Sequence, residues 1–151
     1  MGIFSFIKDA GAKVFGIGKS TAEENVERAA SLKKVVTDLG FDVKNFAIEV
    51  DDETAKLSGE VAAQATREKI VLVVGNTAGI SSVEDNMTVE EKAPMAQFHT
   101  VERGDTLGKI AKTYYGNAMK YPVIFEANKP MLKHPDKIYP GQVLRIPALD
   151  S

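Results

Sequence analysis

The stretch Phe98-His-Thr-Val-Glu-Arg-Gly-Asp-Thr-Leu107, then Ile124-Phe-Glu-Ala-Asn-Lys-Pro130, then Lys137-Ile-Tyr-Pro-Gly-Gln-Val-Leu-Arg-Ile-Pro147 is the most sharply punctuated part of this chain. Val101 closes a short strand, and Gly104-Asp105 makes a turn. Thr106 has the hydroxyl to cap a helix carrying Leu107, Ile110, Ala111 and Tyr114. A second helix runs from Asn117 to Asn128 with Tyr121, Ile124 and Phe125 inward, and Pro130 stops it. Ile138 leads through Tyr139-Pro140-Gly141 into a strand over Val143–Ile146, stopped by Pro147. The spacing predicts a β-α-α-β module over residues 98–148.

Working outward, residues 92–97 include Pro94 and read as a linker. Before it lies a different pattern. Ser20 or Thr21 caps a helix with Glu23 and Glu24 in its first turn, where carboxylates suit the dipole. Val26, Ala29, Ala30, Leu32, Val36 and Leu39 follow at helical spacing, and Gly40 stops the helix. A strand is expected from Phe41 through Val50, a turn at Asp51-Asp52-Glu53, and a second strand over Thr54–Gly59. A helix over Ala62–Val74 ends at Gly75-Asn76. A last strand begins at Ile80 and continues through Met87 and Val89. This order makes an α+β sandwich over residues 22–91, with two helices on one face of a three-stranded sheet. In residues 1–21, Ile3, Phe6, Ile7, Ala10 and Val14 have helical spacing. They predict a short helix docked on the following domain, then a linker over Gly16–Lys19.

Composition bounds the function. With 151 residues, 44% hydrophobic and 26% charged, the chain reads as a soluble globular protein of two very small domains with thin cores. It has no cysteine, which excludes disulfides and thiolate metal sites. Residues 1–93 hold 11 Lys+Arg against 16 Asp+Glu, a charge of −5, and residues 94–151 hold 8 against 5, a charge of +3. Opposite signs predict an attractive interdomain contact. The balance is too weak for a nucleic-acid surface. No apolar run approaches the ~18 residues of a spanning helix, so no stable membrane insertion is expected. The first residues lack a signal peptide's layout, because Lys8 and Asp9 cut the apolar run; a cytoplasmic location is expected.

Little in the chain supports catalysis. His99 and His134 lie far apart, without a nucleophilic partner, and read as surface or turn residues. Asp51-Asp52-Glu53 lacks EF-hand spacing and reads as a solvated hairpin turn. Gly75-Asn-Thr-Ala-Gly79 follows a helix, so the wrong helix end faces it for phosphate. A helix C-terminus instead offers unpaired carbonyls and partial negative charge. With glycines that turn carbonyls inward, such a loop suits a weakly hydrated monovalent cation. An ordinary glycine C-cap is the alternative.

Gly59, Val61 and the Gly79-Ile80…Val83 entry to the last strand resemble a BON domain, the small non-catalytic domain of bacterial osmotically inducible proteins. Gly104-Asp-Thr-Leu107 and Pro140-Gly-Gln-Val-Leu-Arg-Ile-Pro147 resemble a LysM domain. One BON domain followed by one LysM domain, with Met1-Gly2…Phe4…Phe6…Lys8-Asp-Ala-Gly11 in front, resembles the bacterial cytoplasmic potassium-binding proteins. That likeness implies a non-enzymatic, monomeric sensor or buffer that takes K+, with Rb+ and Cs+ as alternative ions, and compacts BON against LysM. The likeness does not say which oxygens bind; the expected ligands are backbone oxygens of Ile7 and Ala10 meeting those of Gly75, Thr77 and Ile80, because two glycine-broken helix ends can present carbonyls to one point. The LysM likeness alone implies another function, an envelope protein binding peptidoglycan or N-acetylglucosamine. Its groove would use Gly104, Asp105, Thr106, Leu107, Asn128 and Ile138. An unidentified protein or glycan partner stays open for the LysM module.

Overall fold

The structure is a computed structural model, and it describes residues 2–5, 22–51, 53–77, 80–91, 96–129 and 131–148. The chain forms two compact units, Met1–Ala93 and Pro94–Ser151.

In the first unit, α1 (Ala22–Asp38) begins with Glu23 and Glu24 and buries Leu32 and Val36, one turn apart on its inner face. Gly40, at a φ of 86°, ends it in the left-handed conformation that glycine adopts without strain. Val26, expected on the inner face, is 69% exposed. Strands β2 (Val43–Asp51) and β3 (Thr54–Ala63) form the expected hairpin. β3 runs four residues past Gly59 and passes directly into α2 (Gln64–Gly75). In α2 every residue from Ile70 to Gly75 is buried, so this half of the helix lies inside the unit rather than on its surface.

The expected last strand is broken in two, β4 (Ser82–Asp85) and β5 (Thr88–Glu91). Both lie parallel to β3 in one register, with Thr54 opposite Ser82 and Ala63 opposite Glu91. The break has a local cause. The Asp85 carboxylate accepts the Met87 N–H at 2.9 Å, diverting that donor from the ladder. The Asn86 N–H still reaches the Leu57 carbonyl at 2.8 Å.

The N-terminal reading needs correction. Gly2–Ser5 form a strand, β1, not the start of a helix. β1 runs antiparallel to β4, with Ser5 opposite Ser82 and Phe4 opposite Val83. The open edge of β4 supplies backbone partners that a helix at residue 3 would leave unused. The rest of the expected helix, residues 6–15, lies outside the described residues, as do the linker at 16–19 and the cap at Ser20 or Thr21. The sheet order is β1-β4-β3-β2, with β5 continuing beside β3, so five strands replace the three expected. α1 packs on β2, and α2 packs on β3 and β4. The core between them includes Val36, Leu57, Val61, Ile70, Val74, Ile80 and Val83.

Gly59 shows why one family-signature position must be glycine. It has a φ of 146° and faces an irregularity in β2 between Lys44 and Ala47, where Asn45 takes a φ of 55°. An added Cβ would lie 3.0 Å from Val43 Cγ2, 3.1 Å from the Lys44 carbonyl oxygen and 3.2 Å from Phe46 Cα. Gly59→Ala is therefore expected to cost about 1–3 kcal/mol in urea unfolding, through backbone strain and a clash with main-chain atoms.

The second unit has the expected strand-helix-helix-strand order. Strands β6 (Gln97–Thr100) and β7 (Val143–Ile146) pair antiparallel. The expected linker over 92–97 reaches into β6 at Gln97, and 92–95 lie outside the described residues. Helix α3 (Leu107–Tyr115) is capped as its sequence predicts, with Thr106 Oγ1 accepting the Lys109 N–H at 3.1 Å. The expected helix over 117–128 is divided. Asn117 Oδ1 accepts the Met119 N–H at 2.9 Å and caps a 3-10 turn, Ala118–Lys120. α4 (Tyr121–Ala127) then starts with Pro122 in its first turn, where the missing N–H costs no helical bond. Tyr121 is 39% exposed, so it is not the inward residue expected; Ile124 is fully buried. The core joins Val101, Leu107, Ile110, Ala111, Ile124, Leu132, Leu144 and Ile146, with Phe125 packed against it. Among the described residues, no helix is long and apolar enough to cross a membrane.

Candidate functional site

The C-terminus of α2 does not end as a left-handed glycine cap. Gly75 is the last helical residue and is buried, and Asn76 stays right-handed at φ −80° and ψ −3°. The last carbonyls are nonetheless engaged in a regular way. The Asn76 N–H donates to the Leu72 oxygen at 2.9 Å. The Thr77 hydroxyl donates to the Val73 oxygen at 2.9 Å, and its N–H to the Val74 oxygen at 3.2 Å. The Ile80 N–H returns to the Thr77 oxygen at 3.2 Å. A carbonyl oxygen has two lone pairs, so one accepted hydrogen bond still leaves a donor site for a cation.

Three segments meet where this loop enters β4. Ser5 pairs across from Ser82, so the chain leaves β1 beside the loop's exit. The Ser81 and Ser82 N–H groups both donate to the Glu53 oxygen, at 2.9 and 3.3 Å, which brings in the β2–β3 turn. Of the five oxygens expected as ligands, those of Gly75, Thr77 and Ile80 belong to one loop. Gly75 and Ile80 are buried and Thr77 is half-buried. Ile7 and Ala10 lie outside the described residues; Ile7 is two positions beyond Ser5 in the chain. Among the described residues, no group of three or more His, Cys, Asp or Glu side chains is placed to hold a metal ion. The donors this loop offers are main-chain oxygens at the negative end of a helix, a set suited to a weakly hydrated monovalent ion.

A buried ion pair ties together the two elements that the loop connects. Arg67 Nε on α2 lies 2.5 Å from Asp85 Oδ2, with Asp85 fully buried and the Arg67 side chain 19% exposed. This pair joins the helix that carries Gly75 to the strand that follows Ile80. The sequence pattern gave no sign of it, because its members are far apart in the chain and join only through tertiary packing. Glu68, buried beside it in sequence, accepts from Gln64 Nε2 at 2.9 Å.

The second unit places the residues of the alternative groove unevenly. Gly104 and Thr106 are exposed, and Asp105 and Ile138 are half-buried. Leu107 and Asn128 are in the core, 2% and 1% exposed. Asn128 Nδ2 donates to the Ile124 and Arg145 oxygens at 2.7 and 2.9 Å, and its Oδ1 accepts the Arg145 N–H at 2.7 Å. Its amide therefore ties α4 to β7 and presents nothing to a sugar. Asp105 staples its own turn. Its Oδ2 accepts the Glu102 N–H at 2.9 Å and lies 3.0 Å from His99 Nε2. Those bonds, the Glu102 N–H foremost and then His99, hold the Asp105 carboxyl below the usual aspartate range. His99 Nδ1 is 3.0 Å from the Tyr114 hydroxyl, and the rings meet edge to face at 5.5 Å. Sequence reasoning took His99 for a surface or turn residue, whereas it links the first strand, the turn and α3.

Comparison with known proteins agrees with both units. The BON domain model matches residues 21–91, and the LysM domain model matches residues 99–147. A 50-residue stretch is 51% identical to an uncharacterized protein of Deinococcus radiodurans, covering 33% of this chain and 19% of that protein. Across 148 residues the chain is 45% identical to the potassium binding protein Kbp of Escherichia coli O6:H1, covering 97% of this chain and 99% of the relative. With its BON domain followed by a LysM domain and that likeness over nearly its whole length, the chain belongs to the family of the potassium binding protein Kbp.

Proposed function

We propose that this chain is a non-enzymatic K+-binding protein of the cytoplasm, a sensor or buffer of the ion. The main-chain oxygens of Gly75, Thr77 and Ile80 form one side of its site, and those of Ile7 and Ala10 form the other. The observation that carries this reading is the register of β1 on β4. By setting Ser5 opposite Ser82, it delivers the N-terminal chain to the exit of the 75–80 loop. The relative's name supplies the identity of the ion. Backbone oxygens without formal charge suit K+ better than a divalent ion, which favours carboxylate ligands. Ion binding stiffens the BON domain, 22–91, and draws it against the LysM domain, 98–148. The −5 and +3 charges of the two halves assist that approach. In this reading the LysM module serves as a clamp; burial of Leu107 and Asn128 leaves Gly104, Asp105, Thr106 and Ile138 as the exposed or half-buried residues of the alternative sugar groove.

Thermal melts in matched NaCl, KCl, RbCl and CsCl test this function, because a ligand bound only by the folded state raises its stability. At a K+ concentration of ~100 times Kd the gain is about 2.7 kcal/mol, a shift of several degrees in a protein this size. KCl is expected to raise the melting temperature of the first unit above its value in NaCl, with RbCl and CsCl testing the alternative ions. Equal melting in all four salts would remove the K+ reading.

A further inference from the structure

The acidic turn between β2 and β3 was expected to be a solvated hairpin turn and nothing more. It lies at the same end of the sheet as the 75–80 loop. Glu53 meets the residues directly after Ile80 in three ways. Its carbonyl oxygen accepts the N–H groups of Ser81 and Ser82 at 2.9 and 3.3 Å, and its carboxylate Oε2 accepts the Ser81 hydroxyl at 3.4 Å. Thr77 and Ser81, the residues that flank positions 78–80, are therefore both anchored. Thr77 is held to the carbonyls of Val73 and Val74, and Ser81 is held to Glu53. Parallel pairing of Thr54 with Ser82 keeps that second anchor in place.

We infer that Glu53 is a positioning and affinity-determining residue for the cation. It sets the exit of the carbonyl loop, and it supplies the negative charge that a main-chain site lacks. Glu53 is not proposed as a ligand. It acts through Ser81 and through its field, which an exposed carboxylate exerts over roughly a Debye length. The inference rests on the reading of the 75–80 loop as the K+ site, so its test must separate the two.

The test is K+ calorimetry on the full chain, with ionic strength set low or high by tetramethylammonium chloride. The chains compared are the parent, Glu53→Gln, Glu53→Asp and Glu60→Gln. Glu60 is exposed on β3, the strand that follows Glu53, but pairs with Thr88, at the other end of the register. Glu53→Gln is expected to weaken K+ binding about two- to fivefold at low ionic strength, the size of one surface charge acting through a high dielectric. The loss should shrink at high ionic strength, and Glu53→Asp, which keeps the charge, should restore most of the affinity. Glu60→Gln should leave it unchanged. Melting temperatures without K+ separate a general loss of stability from a loss confined to binding. Parent-like affinity in Glu53→Gln at low ionic strength would overturn the role of Glu53 and leave the loop reading standing. An equal loss in Glu60→Gln would reduce the effect to net charge and overturn the specific placement. Absence of K+ binding by the parent chain would remove the loop reading and this inference together.

Discussion

Removing residues 1–12 is expected to abolish K+ binding, leaving no heat on titration with KCl where the full chain gives a saturable isotherm. The deletion takes away both Ile7 and Ala10, and with them one side of the proposed oxygen cage. Because the proposed ligands are main-chain atoms, no side-chain substitution removes them, and Thr77→Ala should alter affinity far less than the deletion. The truncation also removes β1, whose pairing with β4 supports the sheet edge. A second variant that lacks only residues 6–12 keeps Gly2–Ser5 and isolates the loss of the oxygens from the loss of the strand. Both variants should keep the circular dichroism of a folded α+β protein and both should lose the ion. Unchanged K+ affinity in either would show that the N-terminal half of the ligand set is wrong.

The second large effect is expected at the buried Arg67–Asp85 pair. Arg67→Ala leaves the Asp85 carboxylate fully buried with the Met87 N–H as its remaining described partner. Stranding a buried charge in this way costs about 3–5 kcal/mol, whereas replacing both partners by apolar residues of similar size is often nearly neutral. Urea unfolding should thus show a severe loss in Arg67→Ala and recovery of most of it in the double variant Arg67→Met, Asp85→Leu. Retention of parental stability in Arg67→Ala would mean that the pair does little for the fold. In a chain of this size such a loss is a large fraction of the total stability. The proposed ion site would suffer with it, since the pair joins α2 to β4, the elements that the 75–80 loop connects.

Local chemistry was legible in the sequence. Thr106 caps α3, Gly40 ends α1, the Asp51–Glu53 turn joins a hairpin, and the β-α-α-β order of the second unit follows its punctuation. Each depends on residues close together in the chain. What was missed depends on partners far away. The apolar spacing of residues 3–14 favoured a helix, but Gly2–Ser5 find an open edge on β4, about eighty positions later. The single strand expected from Ile80 onward is interrupted because the Asp85 side chain takes the Met87 N–H. Asn128, offered as a sugar contact, is instead drawn inward by its hydrogen bonds to the Arg145 backbone in β7. For the site, the sequence pointed to the 75–80 loop through its glycines and its position after a helix. It could not reveal that the acidic turn holds the same loop from the other side.

The central claim is that K+ is held by main-chain oxygens of the first unit. The most direct measurement is the carbonyl 13C spectrum of the labelled full chain, titrated with KCl and, separately, with NaCl. The carbonyl carbons of Gly75, Thr77 and Ile80, together with those of Ile7 and Ala10, are expected to move along one shared isotherm with KCl and to stay nearly still with NaCl. Carbonyl shifts that track KCl elsewhere in the chain while these five remain fixed would contradict the central claim.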